Sequence, residues 1–363
     1  LQSALDLSQS AVSRLLSSVR GSDPLATLAS IPGPEALHSM LRGAARSRIE
    51  ADTLAALKAA VADFEHFIAA DIGDRGALEA LLSEWAQESR PAFEARHKAA
   101  AFKAMSALRG VKADLVLNAG IIVPSREAGR FSSIGVDALI GCRRLRPSGV
   151  LRTFGSTFVP EGAPYRITSL AGEPVESVAD LLLADFSTVD AARIQTTHHD
   201  HVMETSIAAL PLGAAEPRGH ELVWAQLLDG LHRAHRGDGP PTSGVGGQAE
   251  PPCELCVVDA WLYDGVWPDA VPELRLFDTV VRGLAHPDDP SRRGDRIEML
   301  ESVQSLGRGP LGFRLPEYPR YAELMEALCR RCDIDPARLR GFRAKVRHPL
   351  YGSQIGLAFE LPA

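Results

Sequence analysis

The sequence predicts an α+β fold made of a helix-turn-helix (winged-helix-like) start, a helical connector and a large mixed C-terminal domain. Three observations carry that expectation. Apolar residues recur at helical spacing through the first hundred positions, β-branched runs punctuated by Gly and Pro take over near Val111, and helices alternate irregularly with those runs. The 363 residues allow about two or three domains, with expected limits at 1–45, 46–110 and 111–363. The chain starts at Leu1 without a methionine, so a preceding piece is expected.

In the first zone the segment "LDLSQSAVSRLL" sets a helix. Ser8 is placed to cap it, because its hydroxyl can accept a bond from a first-turn N–H. From Gln9 onward, Ala11, Val12, Leu15 and Leu16 fall on an inward side, whereas Gln9, Ser10, Ser13, Arg14 and Ser17 fall on an outward one. "LQSAL" ends a preceding helix, and Asp6 suits a tight turn. "DPLATLASIPGP" offers a weak strand, and "EALHSMLRGAA" a further helix after Pro34. The second zone carries a stripe of Leu54, Leu57, Val61, Phe64 and Ile68, a candidate dimerisation surface, followed by helices through "DRGALEALLSEWAQE" and "PAFEARHKAAAFKAMSALRG". Pro91 fits the first turn of the last of these and Gly110 its stop. In the third zone "ADLVLNAGIIVPS", "VLRTFGSTFVP", "TSIAALPL", "CELCVVDAWLY" and "GSQIGLAFELP" read as strands. "SVADLLLADF", "HELVWAQLLDGLHRAH" and "YAELMEALCRR" read as helices, and residues 236–252 as a flexible loop.

A helix, a tight turn and a second helix with a polar outer face form the helix-turn-helix layout, in which the second helix enters the major groove. The residue types suit that use. Gln bonds adenine bidentately, Arg bonds a guanine edge or a phosphate, and Ser reaches either without bulk. "LDLSQSAVSRLL" resembles the recognition-helix segment of bacterial helix-turn-helix transcription regulators of the LysR and MarR types, the match running from Leu7 to Leu15. The resemblance implies that Gln9, Ser10, Ser13 and Arg14 face double-stranded DNA while Leu5, Leu7, Val12 and Leu15 join the two helices. The expected function is therefore sequence-specific transcription regulation by a homodimer, since one helix covers too few base pairs for useful specificity. The C-terminal domain would sense a small-molecule effector or mediate assembly.

A different class of function is suggested by "THHDHVMET", where His198, His199, His201 and Glu204 are candidate metal ligands for a metal-dependent enzyme. Zinc is the metal to consider there and at the pairs Cys253/Cys256 and Cys329/Cys332, although 72 residues separate the two pairs and packing cysteines are the expected outcome. No G-x-S-x-G, Walker or H-E-x-x-H signature occurs. The formal charge of −7 argues against a protein that coats nucleic acid uniformly, and the basic stretch from Arg90 to Arg152 reads as a charge-balanced surface. With no bilayer-length apolar run and no basic-then-apolar leader, the expectation is a cytoplasmic protein without membrane contact and with reduced thiols.

Overall fold

The computed structural model describes residues 2–5, 7–21, 23–47, 49–85, 90–153, 166–199, 202–208 and 219–363. It is mixed α and β, and the chain divides into two units, Leu1–His97 and Lys98–Ala363. The first unit thus takes in the expected first domain and most of the expected connector. Among the described residues no helix is long and apolar enough to cross a membrane.

The first unit is helical throughout its described residues: α1 (Gln2–Leu5), α2 (Gln9–Arg20), α3 (Pro24–Ser30), α4 (Pro34–Arg46), α5 (Ala51–Phe67), a π turn at Ile68–Ile72, α6 (Arg75–Trp85) and the start of α7 (Arg90–Arg109). Ser8 caps α2 as the sequence predicts, its hydroxyl accepting from the Ala11 N–H at 3.2 Å. Leu7 and Ala11 are buried with Leu37, Met40 and Val61, and Leu5, Val12, Leu15, Leu57 and Phe64 pack around them. The predicted stripe on α5 is therefore spent, in part, inside its own unit. Gly43 lets α1 approach α4, because a Cβ there would stand 2.5 Å from the Leu5 Cα. Where a weak strand is expected within residues 23–34, residues 24–30 form a helix, started by Pro24 and by the Asp23 carboxylate accepting from the Ala26 N–H at 2.8 Å. A winged helix needs strands after its recognition helix. Here helices α3 and α4 follow α2, and no strand follows it among the described residues of the first unit.

The second unit is built on a seven-stranded sheet in the order β11-β12-β9-β1-β2-β7-β4. In chain order its strands are β1 (Val111–Pro124), β2 (Arg130–Arg144), β4 (Arg166–Thr168), β7 (His220–Arg233), β9 (Cys253–Tyr263), β11 (Val303–Arg308) and β12 (Leu339–Arg347). Neighbours run antiparallel except β1 and β9, which pair in parallel with Leu117 opposite Val257. Two three-stranded sheets accompany it, β10 (Glu273–Phe277) with β13 (Gln354–Glu360) and β8 (Thr242–Gln248), and β3 (Leu151–Thr153) with β6 (Val202–Ile207) and β5 (Ile194–His199). On one face of the large sheet Val116, Leu139 and Val258 share a core with Ile355, Leu357 and Phe359 of β13. On the other face lies α8 (Tyr321–Arg331), whose Tyr321, Leu324, Met325 and Leu328 follow i, i+3, i+4, i+7 spacing and are fully enclosed. Burying each of these stabilises the fold by about 1.5–3 kcal/mol.

Three elements of the second unit differ from expectation. Residues 220–233, expected as a helix, form β7. A strand buried on both faces needs a continuous apolar run, and Leu222 to Ala225 supply one that periodicity alone cannot distinguish from a buried helix. Residues 242–248, expected within a loop, form β8, paired with β13 from Thr242 opposite Glu360 to Gln248 opposite Gln354. Likewise "SVADLLLADF" forms only short 3-10 turns at Val178–Leu181 and Ala184–Phe186.

Candidate functional sites

The proposed DNA face on α2 starts from the cap. Gln9, Ser10, Ser13 and Ser17 are exposed, and the Ser10 hydroxyl lies 3.0 Å from that of Ser8. Arg14 behaves differently. Its guanidinium donates to the carbonyls of Ala29 at 3.0 Å and Ile31 at 3.4 Å, and lies 3.5 Å from Glu79, leaving the side chain 36% exposed. Arg75 donates to the same two carbonyls, at 3.2 and 2.8 Å. Two cations thus satisfy orphan carbonyls at the C-terminal end of α3, where the helix dipole favours positive charge. Glu79 gathers Arg14, Arg75 and Arg96. Burial pushes its carboxyl up, but the hydrogen bonds and charges of Arg96 and Arg75 outweigh this and hold it below the usual carboxylate range. Alongside runs a groove of about 430 Å³ whose wall includes Ser13, Arg14, Ser17, Glu79, Phe93 and Arg96. Gln9 and Ser10 stand outside it, at the N-terminal end of the helix. The role of Glu79 was not legible in the sequence, because 65 residues separate it from Arg14.

The remaining predicted residues fall as follows. His198 and His199 lie on β5 and Glu204 on β6, where the backbone pairs His198 with Met203 and Thr197 with Glu204. For these three only the backbone is described, and His201 lies outside the described residues together with Asp200. Among the described residues no group of three or more His, Cys, Asp or Glu is arranged to hold a metal ion. Cys253 and Cys256 belong to the core between the sheets, whereas Cys329 and Cys332 belong to the core under α8. The two pairs lie on opposite faces of the large sheet and do not assemble one four-thiolate site. The basic stretch from Arg90 to Arg152 is extensively paired: Lys98 with Glu301, Arg109 with Glu250, Lys112 with Glu254 and Arg143 with Asp114.

A site the sequence reading did not find lies between the large sheet and β8. It is a cavity of about 260 Å³, walled by Asn118 on β1, Ser133 and Asp137 on β2, Gln226 on β7, and Gln248 on β8, among others. The register explains the grouping, since Asp137 stands opposite Asn118 on one side and Trp224 on the other. Residues two apart on β2 share a face, so Ser133, Gly135 and Asp137 all look toward β8. Gly247 allows β8 to approach, because a Cβ there would meet the Asn118 Oδ1 at 1.9 Å. The wall is polar although its surroundings are apolar: Asn118 is 7%, Ser133 3% and His232 2% exposed. His232 places Nδ1 2.8 Å from the Ser243 hydroxyl, while its Nε2 and the Gln248 Oε1 are buried with no hydrogen-bond partner among the described residues. Burial, helped by the charge of Arg130, drops the His232 imidazole to about 3, so it is neutral. Asp137 has no hydrogen-bond or ion-pair partner among the described residues, and burial alone pushes its carboxyl up to about 7.

No protein-family model matches the chain, and comparison with curated proteins and with solved structures gives no match.

Proposed function

We propose that the chain is a sequence-specific DNA-binding regulator that acts as a homodimer and responds to a small molecule held by its second unit. The observation that carries the DNA half is the Ser8-capped helix α2, which follows a short helix and leaves Gln9, Ser10 and Ser13 in solvent at its N-terminal end. In helix-turn-helix proteins that end of the second helix reaches base edges. Arg14 takes another role in this reading. Its bonds to Ala29, Ile31 and Glu79 make it a brace that fixes how α2 sits, leaving base contact to Gln9 and the serines.

The first unit carries nine Lys and Arg against thirteen Asp and Glu. Non-specific attraction to phosphate is therefore weak, and affinity rests on base contacts with a shallow dependence on salt. Selection from a randomised duplex library, followed by anisotropy titration of the enriched sequence, tests the proposal. A recovered consensus with two related half-sites is expected. Gln9→Ala should weaken binding by about 1–3 kcal/mol at that site, whereas Arg14→Ala should lower the thermal stability of the protein as well. Failure to enrich any sequence over the starting pool refutes the reading.

A further inference from the structure

We propose that the cavity between the large sheet and β8 binds a compact organic cation, an ammonium or amidinium group pairing with the Asp137 carboxylate. The inference rests on the ligand-sensing half of the function proposed above and names the chemistry of that ligand. Asp137 sits in the middle of a central strand, opposite Asn118 and Trp224, and no other described group bonds to it. A carboxyl placed there for packing alone is a poor choice, since asparagine has the same shape and never ionises. The lining contains no Lys or Arg, so nothing in the wall neutralises the charge. An anionic ligand would instead meet two carboxyl side chains, Asp137 and Glu250.

The rest of the wall suits a cation. Asn118, Gln226 and Gln248 bring amide oxygens that can accept from N–H groups, and the Trp224 indole lines the same space. The volume of about 260 Å³ is below the usual range of roughly 300–1,000 Å³ for drug-sized ligands, which points to a small molecule. Desolvation strengthens the pairing, because a charge pair away from water interacts more strongly than one at the surface.

The titratable groups facing the cavity are Asp137 on β2, His232 on β7 and Glu250 after β8, with Cys256 on β9 behind Asn118. His232 is neutral above about 3 and Cys256 is protonated up to about 12. Glu250 is already engaged by the Tyr351 hydroxyl at 2.8 Å and by Arg109 at 3.6 Å. Between pH 6 and 8 the pH response of binding therefore belongs to Asp137.

Calorimetric titration of the full chain, without DNA, with n-butylammonium, n-butanol and n-butyrate tests the inference and is independent of whether α2 reads DNA. The expected result is binding of n-butylammonium at pH 8, weakened roughly tenfold at pH 6 as the competent ionised fraction falls, with n-butyrate inert. Asp137→Asn should abolish that binding, and circular dichroism verifies its fold. Should this variant not fold, the pH response of the wild-type protein decides. Heat from none of the three probes, n-butylammonium binding that survives Asp137→Asn, or n-butanol binding that is tighter at pH 6 than at pH 8 overturns the proposal. The last outcome would identify a neutral ligand that accepts the Asp137 proton.

Discussion

Asp137→Asn gives a measurable change in how stability depends on pH, even with no ligand present. The carboxyl moves from its ordinary 3.8 to about 7 on folding because burial penalises its charge. Between those values the folded state holds a proton that the unfolded state has released, so stability falls as pH rises. The penalty is absent below about pH 4, grows up to about pH 7 and is constant above. At about 1.4 kcal/mol per pH unit the full span is about 4 kcal/mol, and water entering the cavity reduces it toward about 2. His232 acts in the opposite sense: its pKa is lowered to about 3, so its contribution is lost as pH falls below about 6.5. The two slopes oppose each other in the wild-type protein, which is why the difference between variant and wild type is the quantity to measure. Urea unfolding at pH 5 and pH 8 supplies it. Asp137→Asn should gain about 0.5–2.5 kcal/mol at pH 8 relative to pH 5, because part of the span already lies below pH 5. A difference that does not change with pH would show that the carboxyl is not confined as described.

Two further outcomes follow from the packing. Asp259 and Arg343 are cross-strand partners buried between β9 and α8, joined at 2.8 and 2.6 Å, with the Tyr321 hydroxyl donating to the same carboxylate at 2.5 Å. Arg343→Met strands that carboxylate and should cost about 3–5 kcal/mol in chemical denaturation, while a loss under about 1 kcal/mol would remove the ion pair from the account of the core. Cys142, Cys253, Cys256 and Cys329 are buried, and burial raises all four thiols, so native-state labelling with a water-soluble disulfide reagent should reach Cys332 alone before unfolding.

The local signals in the sequence translated well where one residue type has one use. Ser8 reads as a cap and is one, and "CELCVVDAWLY" coincides with β9. The failures share a cause, which is that long-range neighbours decide. Nothing within "HELVWAQLLDGLHR" announces that both its faces will be covered, and the glycines of "TSGVGGQ" look like slack until a second sheet lies against them. Arg14 suits DNA in isolation, yet α3 and α6 bring Ala29 and Glu79 to its guanidinium. The cavity was dispersed over five strands. Its clue was nevertheless present, because Asn118 within "LVLNAGII" and Asp137 within "IGVDALI" are single polar residues inside apolar runs that turn out to be central strands.

The parallel seam between β1 and β9 joins segments about 140 residues apart, Ala113 facing Cys253 and Ile122 facing Leu262. During synthesis β1 can zip to β2, and β2 to β7, early, but the far side of β1 offers a long row of free amides and carbonyls to solvent until β9 leaves the ribosome. The nascent chain therefore passes through a stage with a sticky, apolar border at what will become the middle of the protein. Fragments ending before residue 253 should therefore need chaperones and give low yields, whatever the finished molecule binds.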